Sequence, residues 1–365
     1  MKRRRVVAIF VEPTPYIGHL IRELREQWGD TIEVRYLGRD MSQVWGEDCL
    51  EPGRQVTLPE LWKTLRALSP GDIVHLCGWG HPTLLAALTI SKLHRLRIFV
   101  ESDSTLSAPN SPLNRAAKSL AYPLLFQFPD HFLPGGRRQS EYLQKYGVSA
   151  NRMTMTQMTV DVAGMMTFAR ERGAALRQET RHLLALAQDS AAILFVGRLE
   201  PHKGVSDLLA AFDMVSKSCP SARFVVVGDG TLAPQVSDAA TRNPSITYCG
   251  RLSGEALWAR YLAADIFVLP SHFEPWGLVV NEAMAFGLPV VISDAAGCGA
   301  DLMPEGREGQ VFPAGNVERL AQAITRFVSD HAARQASAEA ASRRIAPWSL
   351  ANEARNIISA WERYA

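Results

Sequence analysis

Ile266-Phe-Val-Leu-Pro-Ser-His-Phe-Glu-Pro-Trp-Gly-Leu-Val-Val-Asn-Glu-Ala-Met-Ala-Phe-Gly-Leu-Pro-Val-Val-Ile292 is the stretch whose reading decides the fold. An apolar run at Ile266–Leu269 feeds a loop, a helical stretch follows at Leu278–Phe286, and a second apolar run comes at Pro289–Ile292. Short runs that are apolar without alternation are covered on both faces, and two of them joined by a helix make a parallel β-α-β unit. Parallel sheets bind ligands at the carboxyl ends of their strands, so the loop from Ser271 onward is the first place to look for chemistry.

Outward from this unit the pattern repeats. Apolar runs at Ala192–Val196, Arg223–Val227, Ile246–Tyr248 and Gln310–Phe312 alternate with helical stretches near Val205–Ser216, Leu232–Thr241, Gly254–Ala263 and Val317–Val328. The first half has its own series. Strands read at Arg5–Val11, Ile32–Leu37, Asp72–Leu76, Arg97–Val100 and His131–Leu133, with helices near Ile17–Trp28, Pro59–Leu68, Pro82–Leu93, Leu113–Phe126 and Arg138–Tyr146. The order predicts an α/β protein of two doubly wound domains. The first spans 1–165 and the second 166–348, and a last helix at about 349–365 is entered at Trp348. The halves share a plan rather than a sequence repeat. Met153–Gln188 lacks clean alternation and reads as the linker.

A chain of 365 residues suits two ordinary domains. Its 47% hydrophobic and 21% charged content is that of a globular protein. The net charge of +2 argues against a dedicated nucleic-acid binder. Residues 1–160 carry 20 Lys and Arg against 15 Asp and Glu, and the rest 19 against 22. A basic first half suits an anionic acceptor or peripheral contact with lipid head groups; a solvated face with a few extra arginines accounts for it more simply. Cys49, Cys77, Cys219, Cys249 and Cys298 are odd in number and scattered, which points to a reducing cytoplasm rather than a disulfide framework or zinc site. Lys2-Arg3-Arg4-Arg5 resembles the start of a signal peptide, but the apolar run after it stops at Glu12. No apolar stretch reaches membrane-spanning length.

Within the deciding stretch, Glu274 falls in the loop and Glu282 on the helix eight positions later. Trp276, Gly277, Leu278 and Val279 occupy the helix start, where unpaired amides and the positive end of the macrodipole favour an anion. A carboxylate on each side of a phosphate-binding helix start suits a ligand with hydroxyls on both sides of a diphosphate, as in a nucleotide-sugar. Read alone, the two glutamates are equally a loop charge and a helix-surface charge. A second feature, Phe195-Val-Gly-Arg-Leu-Glu-Pro-His-Lys-Gly204, places Arg198 and Lys203 between a buried strand and the next helix. Two fixed cations there neutralise a departing diphosphate without a metal. Either one alone is an ordinary surface charge.

Together these features become specific. Gly-Arg-Leu…Lys-Gly, then Val-Val-Val-Gly228-Asp-Gly, then two glutamates eight apart with Gly-Leu between them, resemble the retaining GT-B glycosyltransferases of family 4. The match continues through Gly287-Leu-Pro-Val-Val and Gly309-Gln-Val-Phe to Pro-Trp348-Ser, covering the second half almost continuously. In the first half it rests on element order. The resemblance implies a GT-B fold, two Rossmann-like domains facing a central cleft, with the C-terminal helix crossing back to the N-terminal domain. It implies that Arg198 and Lys203 bind the donor diphosphate and that Glu282 accepts from the ribose hydroxyls. Glu274 would contact the donor sugar with the amides of Gly277, Leu278 and Val279, and Arg251 and Leu252 would lie near the base.

In the first half, Glu12-Pro-Thr-Pro-Tyr-Ile-Gly-His19 is the first loop after a strand. Gly18 at the helix start would let amides meet the diphosphate, a role the family gives to a glycine-containing loop; the plain alternative is a tight turn. His19 and His81 are candidates on the acceptor side. His75 reads as a structural residue at a strand end. The family commonly has a His after the strand that reads here as Arg97-Ile-Phe-Val-Glu-Ser-Asp-Ser104. This chain offers Glu101 and Asp103 instead, to orient the sugar, stabilise positive charge on an oxocarbenium-like centre, or take the acceptor proton. The histidine spacing lacks metal-ligand partners, and no Asp-x-Asp of metal-dependent transferases occurs, so neither a metal nor a separate cofactor is expected. Phe126, Phe128 and the Met153–Met158 run read as packing.

The expected function is therefore transfer, with retention, from a UDP- or GDP-linked sugar to a glycan, glycolipid or small-molecule acceptor, in polysaccharide or glycoconjugate assembly. A nucleotide-sugar epimerase of the same fold would convert the donor without an acceptor. A silent nucleotide-sugar-binding protein would bind and do neither. Neither half opens with the Gly-x-Gly-x-x-Gly of a nicotinamide dehydrogenase.

Overall fold

The computed structural model describes residues 4–38 and 54–364. Lys2, Arg3 and Cys49 lie outside the described residues. The chain divides into two units, Met1–Val160 with Trp348–Ala365, and Asp161–Pro347.

In the first unit six described strands pair in parallel: β1 (Val6–Phe10), β2 (Ile32–Tyr36), β3 (Arg54–Gln55), β4 (Ile73–Leu76), β5 (Arg97–Ser102) and β6 (His131–Pro134), in the order β3-β2-β1-β4-β5-β6. Helices α1 (Pro15–Trp28), α2 (Leu58–Arg66), α3 (Pro82–Leu93), α4 (Pro112–Leu125) and α5 (Arg137–Lys145) connect them. β1 and β4 are buried throughout, the condition that erases polar alternation from a central parallel strand. One face of this sheet carries Leu61, Leu65, Leu88, Phe126 and Tyr142. The other carries Leu20, Ile21, Leu24 and Trp28 of α1 together with the far end of the chain.

The second unit opens with a difference from expectation. The stretch read as a linker contains α6 (Val162–Leu183), a helix of 22 residues. Its buried positions are Val162, Met165, Gly173, Thr180 and Arg181, so no stripe of large apolar residues marks its period. Phe168 meets Trp258 of the segment Gly254–Ala263 at 4.9 Å, and polar anchors add to this contact. Arg181 Nη1 and Arg177 Nη2 pair with the two oxygens of Asp265 at 3.0 and 2.6 Å. Strands β7 (Ala191–Val196), β8 (Ala222–Val227), β9 (Ile246–Tyr248), β10 (Ile266–Leu269), β11 (Val290–Ser293) and β12 (Gly309–Phe312) form the second parallel sheet, in the order β12-β11-β10-β7-β8-β9. Its helices are α7 (Val205–Ser218), α8 (Ala233–Arg242), α9 (Gly254–Ala263), α10 (Leu278–Ala285), α11 (Gly299–Leu302), α12 (Val317–Ser329) and α13 (His331–Ile345).

The last helix, α14 (Leu350–Glu362), belongs to the first unit. Ala354, Ile357, Ala360 and Trp361 are buried in the core with α1. Trp361 meets Trp28 edge-on at 5.5 Å and His75 at 5.6 Å. Both sheets thus reverse direction beside their first strand, between β1 and β4 and between β7 and β10. Such a switch point opens a crevice at the carboxyl edge.

Candidate active site

At the second switch point two loops meet. The loop after β7 leads through a short 3-10 turn, Pro201–Lys203, to Gly204, whose φ of +71° starts α7. A side chain at Gly204 would strike the carbonyl oxygen of Pro270, so this glycine lets the loops after β7 and β10 lie against each other. The backbone N–H of His272 donates to His202 O at 2.8 Å. Lys203 Nζ then reaches Glu274 Oε2 at 2.5 Å, with both side chains largely buried.

Glu274 is held from the other side as well. Its carbonyl accepts from Gly297 N at 2.9 Å, and Trp276 O accepts from Cys298 N at 3.0 Å. Trp276 Nε1 donates to Asn281 Oδ1 at 3.0 Å. Gly277, with φ +104°, starts α10 and has no side chain to cap the first-turn amides. The amides of Leu278 and Val279 thus follow a glycine without a capping side chain, close to Glu274 of the lysine–glutamate pair. Arg198 is exposed on the loop after β7. Arg251 and Leu252 follow β9 at the same edge of the sheet, exposed and half-buried respectively.

Glu282, one turn into α10, faces a partner that sequence reading missed. Tyr261 Oη donates to Glu282 Oε2 at 2.7 Å from α9. Burial pushes the Glu282 carboxyl up to about 7, against the pull of that hydrogen bond. Nothing in the sequence near Tyr261 marks it, because the pairing spans 21 positions and two helices. His272 is a further contributor not foreseen: its Nε2 lies 2.6 Å from Asp207 Oδ2, tying the loop to α7.

The first switch point is built differently. Thr14 caps α1, its Oγ1 accepting from Ile17 N at 3.3 Å. Gly18 N–H donates to Thr14 O at 2.9 Å. Gly18 falls inside the first turn of α1, which starts at Pro15, and that turn takes up its own N–H. His81 caps α3, its Nδ1 accepting from Thr83 N at 3.2 Å. His19 is half-buried on α1.

Glu101 and Asp103, at the end of β5, line a cavity of about 160 Å³ with Glu12, Ser102, Tyr16 and Glu353. Gly18, His19 and His81 are not among its lining residues. His75 is buried, and its Nε2 lies 2.8 Å from Glu101 Oε1. Glu353, on α14, had no place in the sequence reading; it accepts a hydrogen bond from the Thr159 backbone, while burial and the charge of Glu101 drive its carboxyl well above the usual range. Phe126 is core as expected, against Trp79 at 4.8 Å, whereas Phe128 is exposed.

Residues 177–344 match the family described as glycosyl transferases group 1. A glycogen synthase of Mycobacterium tuberculosis is 37% identical over 158 residues, 42% of this chain and 38% of its own length. The first curated relatives are thus matched over well under half their length. The sulfoquinovosyl transferase SQD2 of Arabidopsis thaliana is 27% identical over 371 residues, 93% of this chain and 70% of its own. Among solved structures, Anabaena Alr3699/HepE in complex with UDP superimposes with a TM-score of 0.81 at 16% identity, covering 98% of this chain and all of the other. Residues 177–344 are thus similar to the group 1 glycosyltransferases, and the fold is the GT-B fold of the solved glycosyltransferases.

Proposed function

We propose that this chain transfers a glycosyl unit, with retention of configuration, from a nucleoside-diphosphate sugar to a hydroxylated acceptor. The observation that carries the reading is the Lys203–Glu274 pair at 2.5 Å beside the start of α10. The diphosphate takes the α10 amides, Arg198 and Lys203. Glu274, released from Lys203, accepts from hydroxyls of the donor sugar, and Glu282 accepts from the ribose in place of Tyr261. The bond from the anomeric carbon to the phosphate oxygen breaks while the acceptor oxygen bonds to the same face. The acceptor proton passes to the departing phosphate. The fixed cations and helix dipole are worth most where that negative charge develops.

The nucleotide is read as UDP or GDP, UDP having the support of the HepE complex. The acceptor is a glycan, a glycolipid or a small molecule. Peripheral contact with a membrane surface is part of the reading and is supported by α4, on which Leu113, Leu120 and Leu124 are 79%, 77% and 66% exposed. No acidic residue occurs between Asp103 and Asp130, where the charges are Arg115 and Lys118. Among the described residues no helix is long and apolar enough to cross a membrane.

The test is a thermal-shift panel of UDP- and GDP-sugars, followed by release of the nucleotide with and without candidate acceptors. A donor that raises Tm and yields free nucleotide only with an acceptor supports transfer. Conversion of the donor without acceptor would replace the reading with an isomerase.

A further inference from the structure

We propose that Asp207 and His272 are positioning residues: their pair keeps the loops after β7 and β10 in register when the Lys203–Glu274 pair opens for the nucleotide-sugar. That opening rests on the transfer reading; the tether stands on geometry. Side chains join the two loops at two places. Lys203 Nζ meets Glu274 Oε2 at 2.5 Å, and His272 Nε2 lies 2.6 Å from Asp207 Oδ2 at the start of α7. The first pair is made of groups that transfer sends elsewhere, Lys203 to the diphosphate and Glu274 to the donor sugar. Once they part, His272 and Asp207 make the remaining side-chain bridge between these loops among the described residues. The backbone bond from His272 N to His202 O, at 2.8 Å, starts from the same residue.

The other holds on the loop after β10 come from a different side. Ser271 O accepts from Ser293 Oγ at 2.5 Å, and Glu274 O accepts from Gly297 N at 2.9 Å. Both fasten the loop to the end of β11 and the turn after it, and neither reaches α7. His272 lies two residues before Glu274, a reach of at most about 7 Å of chain, so a shift at the imidazole is passed to the carboxylate. Misplacing a reacting group by about 1 Å costs up to about a hundredfold in rate. Asp207 in the first turn of α7 also suits the helix dipole, but that role needs no histidine. The side chains of His272 and Asp207 are 48% and 26% exposed. Exposed pairs add about 1 kcal/mol or less to stability, so removing this one separates position from folding.

The test is a double-mutant cycle on the full chain without nucleotide, read by amide exchange at residues 271–277. Lys203→Ala opens the first pair and Asp207→Ala the second. Together they should raise exchange about fivefold or more beyond the product of the single effects. Asp207→Asn still accepts from an imidazole N–H and should restore most of the protection. In transfer assays Asp207→Ala and His272→Ala should each lower kcat about tenfold. UDP affinity should stay within about twofold, because the diphosphate contacts remain. Asp207→Asn and His272→Gln, which keep a hydrogen bond, should recover most of the rate. A purely multiplicative cycle, native kcat in both alanine variants, or UDP affinity falling as far as kcat overturns the tether. If the native chain binds no nucleoside diphosphate, the transfer reading falls, and the exchange cycle alone decides the tether.

Discussion

At the carboxyl edge of the second sheet Lys203 pairs with Glu274 beside an uncapped helix start, while a cavity at the equivalent edge of the first is lined by four carboxylates, with no lysine or arginine among its described lining residues. The strand orders are the same. Topology therefore decides where each crevice opens, and the loop residues decide which charge it presents. A second contrast lies one strand further along. After β11 the chain makes α11, four residues long with Asp301 and Leu302 buried. After β5 it makes α4, fourteen residues with none buried. One unit closes its edge; the other holds a helix out to solvent.

The largest expected effect tests whether the units are separable as folding bodies. Trp361 is fully buried between α1 and the first sheet although it lies at the end of the chain. Trp361→Ala should cost about 3–5 kcal/mol, and amide exchange should rise across β1, α1 and β4 while β7 to β12 keep their protection. Equal loss in both sheets would break the division. Next comes Lys203→Ala, which removes a charge-assisted contact worth roughly 1.5–3 kcal/mol. Transfer should slow about tenfold or more, with UDP affinity reduced. An unchanged rate would strip Lys203 of its role.

How much of this was legible follows from what each feature depends on. Strands β7 and β10 were readable because central parallel strands must be apolar on both faces; Arg54–Gln55 was not, being two polar residues paired at a sheet edge. The donor side was readable because its parts sit at fixed spacing along one or two loops: Lys203 before Gly204, Glu274 before Gly277. Tyr261 was hidden, since a side-chain pair between two helices leaves no spacing rule. So was Glu353, whose cavity forms only once α14 returns to the first unit. At Gly18 the letter was right for a helix start and silent about which oxygen its amide would find. At α6 the anchors are arginines, so a search for apolar periodicity found nothing.

The contrast between α4 and α11 sharpens at a membrane. Leu113, Leu120 and Leu124 fall within one narrow stripe at helical spacing, on a segment whose charges are all positive. Such a helix gains from burying apolar area at an anionic interface. Sedimentation with phosphatidylglycerol vesicles should carry the protein down, neutral phosphatidylcholine vesicles much less. Replacing the three leucines by glutamine should weaken binding about tenfold or more at roughly 1 kcal/mol or more per side chain, leaving UDP binding unchanged. Equal sedimentation of the variant would remove α4 as the contact.

The smallest effect compares two glutamates whose carboxyls are both raised. Glu353 and Glu282 are both pushed upward by burial, but Glu282 reaches only about 7 and has Tyr261 as a donor. Between the ordinary carboxylate range and about 7 the folded state keeps a proton on Glu282 that the unfolded chain has released. Stability from this residue therefore falls as pH rises through that window, and Glu282→Gln should flatten it. Nucleotide binding runs the opposite way. A ribose diol donates to a carboxylate better than to a neutral acid, so affinity should climb between about pH 6 and 8, by up to about tenfold for one group titrating near 7. Glu282→Gln keeps a carbonyl for Tyr261 and should bind equally at both pH values. If the native chain already binds UDP independently of pH across this range, the ribose does not meet Glu282, and the raised carboxyl reports burial against Tyr261 and nothing of the ligand.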